Sequence, residues 1–149
     1  MFKKTFALLF GISEILIANP TSAPYQTEMG SVTVTGIGTS TVTVNANATT
    51  NVVKWADFSI NNGENVIFTR NSSSTPYYIV NKITGGTAST ISGNLTSGDN
   101  GNIYLINEAG VIITSTGNIV TGSFLASTLA LVNDFVPGED LEFKLKKIR

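Results

Sequence analysis

Between residues 31 and 46 valine alternates with threonine or serine in a period of two, as SVTVTG (31–36) and STVTVNA (40–46). That period puts successive side chains on opposite faces of an extended chain, so both runs predict strands, with a Gly-containing turn at 36–39 between them. After a polar break at 47–51 the chain continues as short β-branched and aromatic runs: VVKWADFSI (52–60), NVIFTR (65–70), YYIVNKI (77–83), IYLIN (103–107), VIIT (111–114) and IV (119–120). Gly, Asn, Ser or Thr bounds each one, as at Asn62-Gly63, Gly85-Gly86, Gly110 and Gly117-Asn118. SFLASTLALV (123–132) is the one stretch whose spacing suits a helical turn. The tail alternates again, with Leu141, Phe143, Leu145 and Ile148 against Glu142, Lys144 and Lys146.

From Ile103 onward the apolar triplets recur about every seven to twelve residues, with turns too short to hold crossover helices. Two architectures meet this: an antiparallel sandwich, or a parallel coil winding through short strands. No two-residue Asn-Gly or Asp-Gly hairpin joins matched strands, which leans toward the coil. Asn and Thr at strand edges also suit a coil, where like residues stack and hydrogen-bond along the ladder. Periodicity by itself leaves both open.

Charge narrows the class. Between Gly30 and Asn133 the only charged residues are Lys54, Asp57, Glu64, Arg70, Lys82, Asp99 and Glu108. So sparse a segment is neither a solvated helix bundle nor a charged disordered tail. The net charge is −1 and the basic residues lie mainly at the two ends, which gives no electrostatic case for nucleic acid. The chain of 149 residues is the size of one domain. It has no Cys and no His, which removes thiol nucleophiles, disulfides, the usual zinc sites and the commonest general base.

The N-terminus carries a targeting pattern. Met1-Phe2-Lys3-Lys4 is a basic start, TFALLFGISEILIA (5–18) an apolar core interrupted by Glu14, and Thr21-Ser22-Ala23 a small-residue end. The core is shorter than the roughly 20 residues a spanning helix needs. Residues 1–23 are therefore read as a signal peptide and 24–149 as the exported part, beginning at Pro24.

Candidate chemistry is thin. Trp55 and the pair Tyr77-Tyr78 suit either a carbohydrate or host-ligand platform or simple core or rim packing, and packing is the favoured reading. Asp57 with Glu64, and Asp99 with Glu108, are the only acid pairs in the strand region, and no Lys or Arg joins them. Polysaccharide cleavage by paired carboxylates is therefore not expected, and the chain is read as no enzyme. The sequons at Asn47, Asn71 and Asn94 are chance matches in so Asn- and Thr-rich a chain. The tail's acid-then-base alternation reads as a solvated strand, guarded against edge pairing.

Several short pieces follow one another in a telling order. Val53-Lys54-Trp55 precedes Phe58-Ser59-Ile60, and Glu64-Asn65-Val66-Ile67-Phe68 follows. Next come Asn81-Lys82-Ile83-Thr84-Gly85-Gly86 and Ser89-Thr90-Ile91-Ser92-Gly93-Asn94-Leu95. Asn102-Ile103-Tyr104-Leu105-Ile106-Asn107 leads to a turn, and Phe124-Leu125-Ala126-Ser127-Thr128-Leu129 with Asp134-Phe135 closes the set. In this order and spacing the chain resembles the N-terminal secretion domain of filamentous-haemagglutinin-type exoproteins, the substrates of two-partner secretion. It is most similar to the high-molecular-weight adhesin and haemopexin-binding branch.

The resemblance implies an all-β fold, a right-handed parallel β-helix (a single-stranded solenoid). It implies a secretion module captured in the periplasm by an Omp85-like, TpsB-like outer-membrane transporter and folded outside the cell, with no cofactor, metal or small-molecule substrate. Trp55, Phe58, Gly85, Gly86, Ser127 and Thr128 are then structural motif residues, and Asn107 and Gly110 the candidate transporter-recognition turn. Here that turn departs from the family's Asn-Pro-Asn-Gly, reading Asn107-Glu108-Ala109-Gly110. The family's secretion domain also runs on past the Asp-Phe motif, so a truncated module is expected. The length suits about five coils of 20 to 25 residues, with 31–46 capping one end and 141–148 the other. The alternatives are a freestanding adhesive solenoid that binds glycans or receptors on a host cell surface, or an inert fragment of a disrupted adhesin gene.

Overall fold

In a computed structural model the residues described are 20, 25–71, 74–132, 139 and 142–144. The expected signal peptide therefore lies almost wholly outside them, as do Asp134-Phe135 and most of the tail. The described residues contain strands and turns and no helix.

The chain winds through three sheets in a fixed sequence. On the first face lie β3 (Thr41–Ala46), β5 (Asn65–Arg70), β8 (Asn94–Ser97) and β11 (Asn118–Val120). On the second lie β4 (Thr50–Trp55), β6 (Tyr77–Ile83), β9 (Gly101–Ile106) and β12 (Ser123–Ser127). On the third, narrower face Ile60 bridges to β7 (Ser89–Ile91), which pairs with β10 (Val111–Ile113). Each turn runs first face, second face, third face, and every pairing between turns is parallel and in register. This is a parallel β-helix of about four turns.

Alternation inside each strand fixes what faces the interior. Val42, Val66 and Leu95 stack on the first face, Ile79 and Ile103 on the second, Ile60 and Ile91 on the third, all fully buried. Burying each such side chain is worth about 1.5–3 kcal/mol. The outward positions at the start of the first face carry a second device. Asn65 Nδ2 donates to Thr41 Oγ1 at 3.3 Å, Asn94 Nδ2 to Asn65 Oδ1 at 2.8 Å, and Asn118 Nδ2 to Asn94 Oδ1 at 3.2 Å. A carboxamide both donates and accepts, so asparagine serves the three later turns, with Thr41 as the acceptor in the first. The expected stacking of like residues is thus realised as an asparagine ladder.

The N-terminal end is closed. β2 (Val32–Thr35) pairs antiparallel with β3 through the 36–39 turn, and β1 (Gln26–Met29) pairs antiparallel with β4. Val32, Val34 and Tyr25 cover the first layer of core. Glu28 ties this cap to the first two turns, 3.1 Å from Lys54 Nζ and 2.7 Å from Lys82 Nζ. The hydrogen bond from Lys82 is the main cause that holds the Glu28 carboxyl below its ordinary range, with Lys54 adding to it against some desolvation.

Two expectations are corrected. Residues 123–132 form no helical turn: β12 pairs with β9, and β13 (Ala130–Leu131) pairs with β14 (Phe143–Lys144). Packing of Phe124 on Ile103 and the waiting edge of β9 outweigh local helix propensity. The coils number about four, not five, because successive ladder residues are 24, 29 and 24 apart and the chain leaves the helix after β12. The longest turn holds the loop between β5 and β6. Of the cap expected at 141–148 only 142–144 lie among the described residues; there Phe143 of β14 packs with Leu131 on the outer side of the second face, against Val52, Val80 and Ile106.

Two outcomes follow. Asn94→Ala removes two rungs of the ladder and should lower stability by about 1–2 kcal/mol, read as a lower urea midpoint with an unchanged slope. The Glu28 clamp acts while the carboxylate is charged, so its contribution is present above the usual glutamate range and fades as pH falls through the lowered pKa. Glu28→Gln should flatten the acid side of the stability–pH curve below about pH 4.5, and should do so less at high salt.

Candidate functional site

The residues singled out in the sequence are scattered over seventy-odd positions, yet the fold collects them on one corner. This is the ridge where the second face turns into the third. Trp55 and Phe58 bound it in the first turn, Gly85 and Gly86 in the second, Asn107 and Gly110 in the third, Ser127 and Thr128 in the last. Backbone bonds stitch the levels together: Thr84 N–H donates to Trp55 O at 2.8 Å, and Asn107 N–H to Ser127 O at 2.9 Å.

Asn107 is fully buried and acts as a strut inside the corner. Its Nδ2 donates to Thr87 O at 3.0 Å and to Ser89 Oγ at 2.9 Å, while its Oδ1 accepts from Ala109 N–H at 2.9 Å. Gly110 N–H closes the turn on Asn107 O at 3.0 Å, and Gly110 O in turn accepts from Ser89 N–H at 3.0 Å. A φ of 130° places Gly110 where side chains are strained, and a Cβ there would lie 3.2 Å from Ala88 Cβ. The outer Asn and Gly thus build the turn, and Glu108 and Ala109 are what it shows to solvent.

The two glycines of the second turn differ. A Cβ on Gly85 would lie 2.0 Å from Ala56 O, whereas one on Gly86 would meet nothing. Ser127 caps the last corner by accepting from Leu129 N–H at 3.0 Å, and Thr128 is exposed.

Trp55 and Phe58 are fully buried and meet edge to face with centroids 5.7 Å apart; Phe58 stacks on Phe68 at 6.5 Å. Tyr77 is buried too, its hydroxyl donating to Phe68 O at 3.0 Å, and desolvation pushes its phenol pKa up. Tyr78 is half-buried on the outer side of the second face. Trp55, Phe58, Phe68 and Tyr77 therefore pack the core, and Tyr78 packs on the outer cluster beside Val52 and Val80. Asp57 and Asp99 lie at corners, Glu64 is buried with Oε2 accepting from Asn61 N–H at 2.8 Å, and Glu108 is exposed. Among the described residues no group of three or more His, Cys, Asp or Glu is placed to hold a metal ion.

Sequence reasoning passed over two buried polar residues. Asn81 Oδ1 accepts from Trp55 Nε1 at 2.9 Å, and its Nδ2 donates to Tyr104 O at 3.2 Å. Asn51 Oδ1 accepts from Ser31 N–H at 3.1 Å, and its Nδ2 donates to Ala48 O at 2.8 Å and Tyr78 O at 3.2 Å. The available signal was an Asn inside an apolar strand, as in YYIVNKI, where burial demands partners on both sides of the amide.

A parallel β-helix closed at its N-terminal end, with its motif residues stacked along one corner, defines a class, the single-stranded β-solenoid domains. The model of the TPS secretion domain matches residues 17–147, and this chain belongs to that family. It is 33% identical over 127 residues to the heme/hemopexin-binding protein of Haemophilus influenzae, a match covering 78% of this chain and 14% of that protein. It superposes on the crystal structure of the HMW1 secretion domain from Haemophilus influenzae with a TM-score of 0.63 and 26% identity, over 74% of this chain and 28% of that one. The chain thus spans a small part of the relatives it matches. The family is a secretion domain rather than an enzyme family.

Asn107→Ala leaves Thr87 O, Ser89 Oγ and Ala109 N–H without their partner and should cost about 2–4 kcal/mol, measured by thermal or urea unfolding. Gly85→Ala should destabilise by at least about 2 kcal/mol, since backbone must move, while Gly86→Ala stays within about 0.5 kcal/mol. Equal effects at the two glycines would contradict the corner geometry.

Proposed function

We propose that this domain is the secretion module of a two-partner-secretion exoprotein of the adhesin or haemagglutinin kind. A leader brings the chain to the periplasm, an Omp85-like outer-membrane transporter captures it unfolded, and the β-helix forms outside the cell, at the surface or in the medium. The observation that carries this reading is the TPS secretion-domain match across residues 17–147. Composition supports it: with no Cys and few charges, nothing locks the chain by disulfide before passage. So does the end-to-end asymmetry of the fold, whose first turn is closed by its own cap. Once that turn is in place, each later turn gains its buried face by stacking on the one before.

In this reading the 107–110 turn has two separable roles. In the unfolded chain it is a short recognition element for the transporter, where Asn107 and Gly110 match the family's turn and Glu108 and Ala109 do not. In the folded domain Asn107 is the buried strut described above. Co-expression of the chain with a two-partner-secretion transporter, followed by assay of medium and periplasm, tests the reading. The intact chain should appear in the medium and Asn107→Ala with Gly110→Ala should accumulate in the periplasm. Gly85→Ala, which harms only the fold, should still leave the cell. Retention of the intact chain in the periplasm would overturn the proposal, and equal export of every variant would remove the turn from it.

A further inference from the structure

The chain contains two Asn-Gly pairs, Asn62-Gly63 and Asn100-Gly101, and the fold holds them in opposite ways. An asparagine followed by glycine has a reaction of its own. The next backbone nitrogen attacks the side-chain carbonyl, because glycine puts no side chain in the way. In a folded protein the reaction needs a backbone N–H that is not committed elsewhere and a carboxamide that can swing onto it.

The second pair meets neither need. Asn100 O accepts from Tyr77 N–H at 2.9 Å and Gly101 N–H donates to Gly98 O at 2.8 Å, so the peptide between them is held from both sides. Gly101 opens β9 and is buried, and a Cβ on it would lie 2.4 Å from Ser97 Oγ. The first pair is different. Asn62 and Gly63 form the middle of the turn that Glu64 N–H closes on Asn61 O at 3.0 Å. Both are exposed, Gly63 has the φ of 85° that the third position of a type II turn takes, and a Cβ there would meet no atom within 4 Å. Among the described residues neither the Asn62 carboxamide nor the Gly63 N–H has a hydrogen-bond partner.

We propose that Asn62 is a site of spontaneous deamidation in the folded domain. The Gly63 nitrogen, its proton taken by hydroxide or a buffer base, bonds to Asn62 Cγ. The Cγ–Nδ2 bond breaks and ammonia leaves, which closes a five-membered succinimide. Water then opens the ring. Hydrolysis on the Cγ side gives an aspartate in an ordinary backbone; hydrolysis at the main-chain carbonyl gives an isoaspartyl link through the former side chain.

Neither product suits this corner. Glu64 is buried, with Oε2 accepting from Asn61 N–H at 2.8 Å, and either product sets a second carboxylate in the same turn. The isoaspartyl link also adds a backbone atom between Asn61 O and Glu64 N–H. The next turn packs on these two residues. Glu64 O accepts from Asn94 N–H at 2.9 Å, and a Cβ on Gly93 would lie 2.3 Å from Asn61 O and 2.4 Å from Glu64 O. Deamidation therefore loosens the corner through which the chain enters β5.

Peptide mapping by mass spectrometry tests this, on the full chain held folded in mildly alkaline buffer, with isoaspartate counted by an isoaspartyl methyltransferase assay. The expected result is conversion at Asn62 that quickens as pH rises. Asn100 should convert at least about tenfold more slowly, the factor that giving up a committed hydrogen bond implies. In urea, where no fold distinguishes them, the two sites should convert at similar rates. The aged chain should unfold at a lower urea midpoint than fresh chain. Asn62→Gln, which cannot close the five-membered ring, should age without that shift. No conversion at Asn62, equal conversion at both sites in the folded chain, a difference that persists in urea, or an aged chain as stable as the fresh one would overturn the proposal.

Discussion

Parallel pairing in fixed register governs this molecule. Because each strand lies directly over its counterpart one turn earlier, an inward side chain is covered by the residue at the same position of the next turn, apolar in most columns and a hydrogen-bonded Asn81 between Val53 and Leu105. The column Val42, Val66, Leu95 and Ile119 obeys this, as does Ile79, Ile103 and Phe124. The same rule acts on the polar side: Asn65, Asn94 and Asn118 form a ladder only because they share a register. It acts on the corners too, where the buried Asn107 reaches back to Thr87 and Ser89 of the preceding turn. Changes of loop length, such as the long second turn, are confined to places where the chain has left the sheets.

A fold assembled this way is close to one-dimensional: each turn contacts its neighbours and little else. That character joins structure to the proposed route of export. A domain whose contacts never span its whole length can form progressively from one closed end, and the cap of β1 and β2 supplies that end. The Glu28 clamp, reaching across β4 to Lys82 on β6, fastens the cap to more than one turn. On the proposed route, function resides less in a pocket than in the order in which surfaces become available.

Much of this was legible in the sequence. The period of two, the low charge and the ordered motif set led to the parallel β-helix and to its family, and the hairpin at 36–39 was read correctly. Strands as short as Ser89–Ile91 and Asn94–Ser97 were not, since three or four residues split by Gly93 give periodicity too little to work with. The strand at 123–127 was hidden because its conformation is imposed by the edge of β9. The motif residues were found as a set, but their meeting on one corner is a product of winding, which no spacing rule reveals before the turn lengths are known. The struts Asn51 and Asn81 were missed for a related reason: an Asn looks like a break until its buried partners are in place.

The most direct test of the account is the register itself, measured by nuclear Overhauser contacts in solution. Parallel stacking predicts contacts along the series Val42, Val66, Leu95 and Ile119, residues far apart in sequence and adjacent on one face. Contacts joining β5 to β6 and β8 to β9 as antiparallel hairpins would contradict it, and with it the β-helix on which the secretion reading stands.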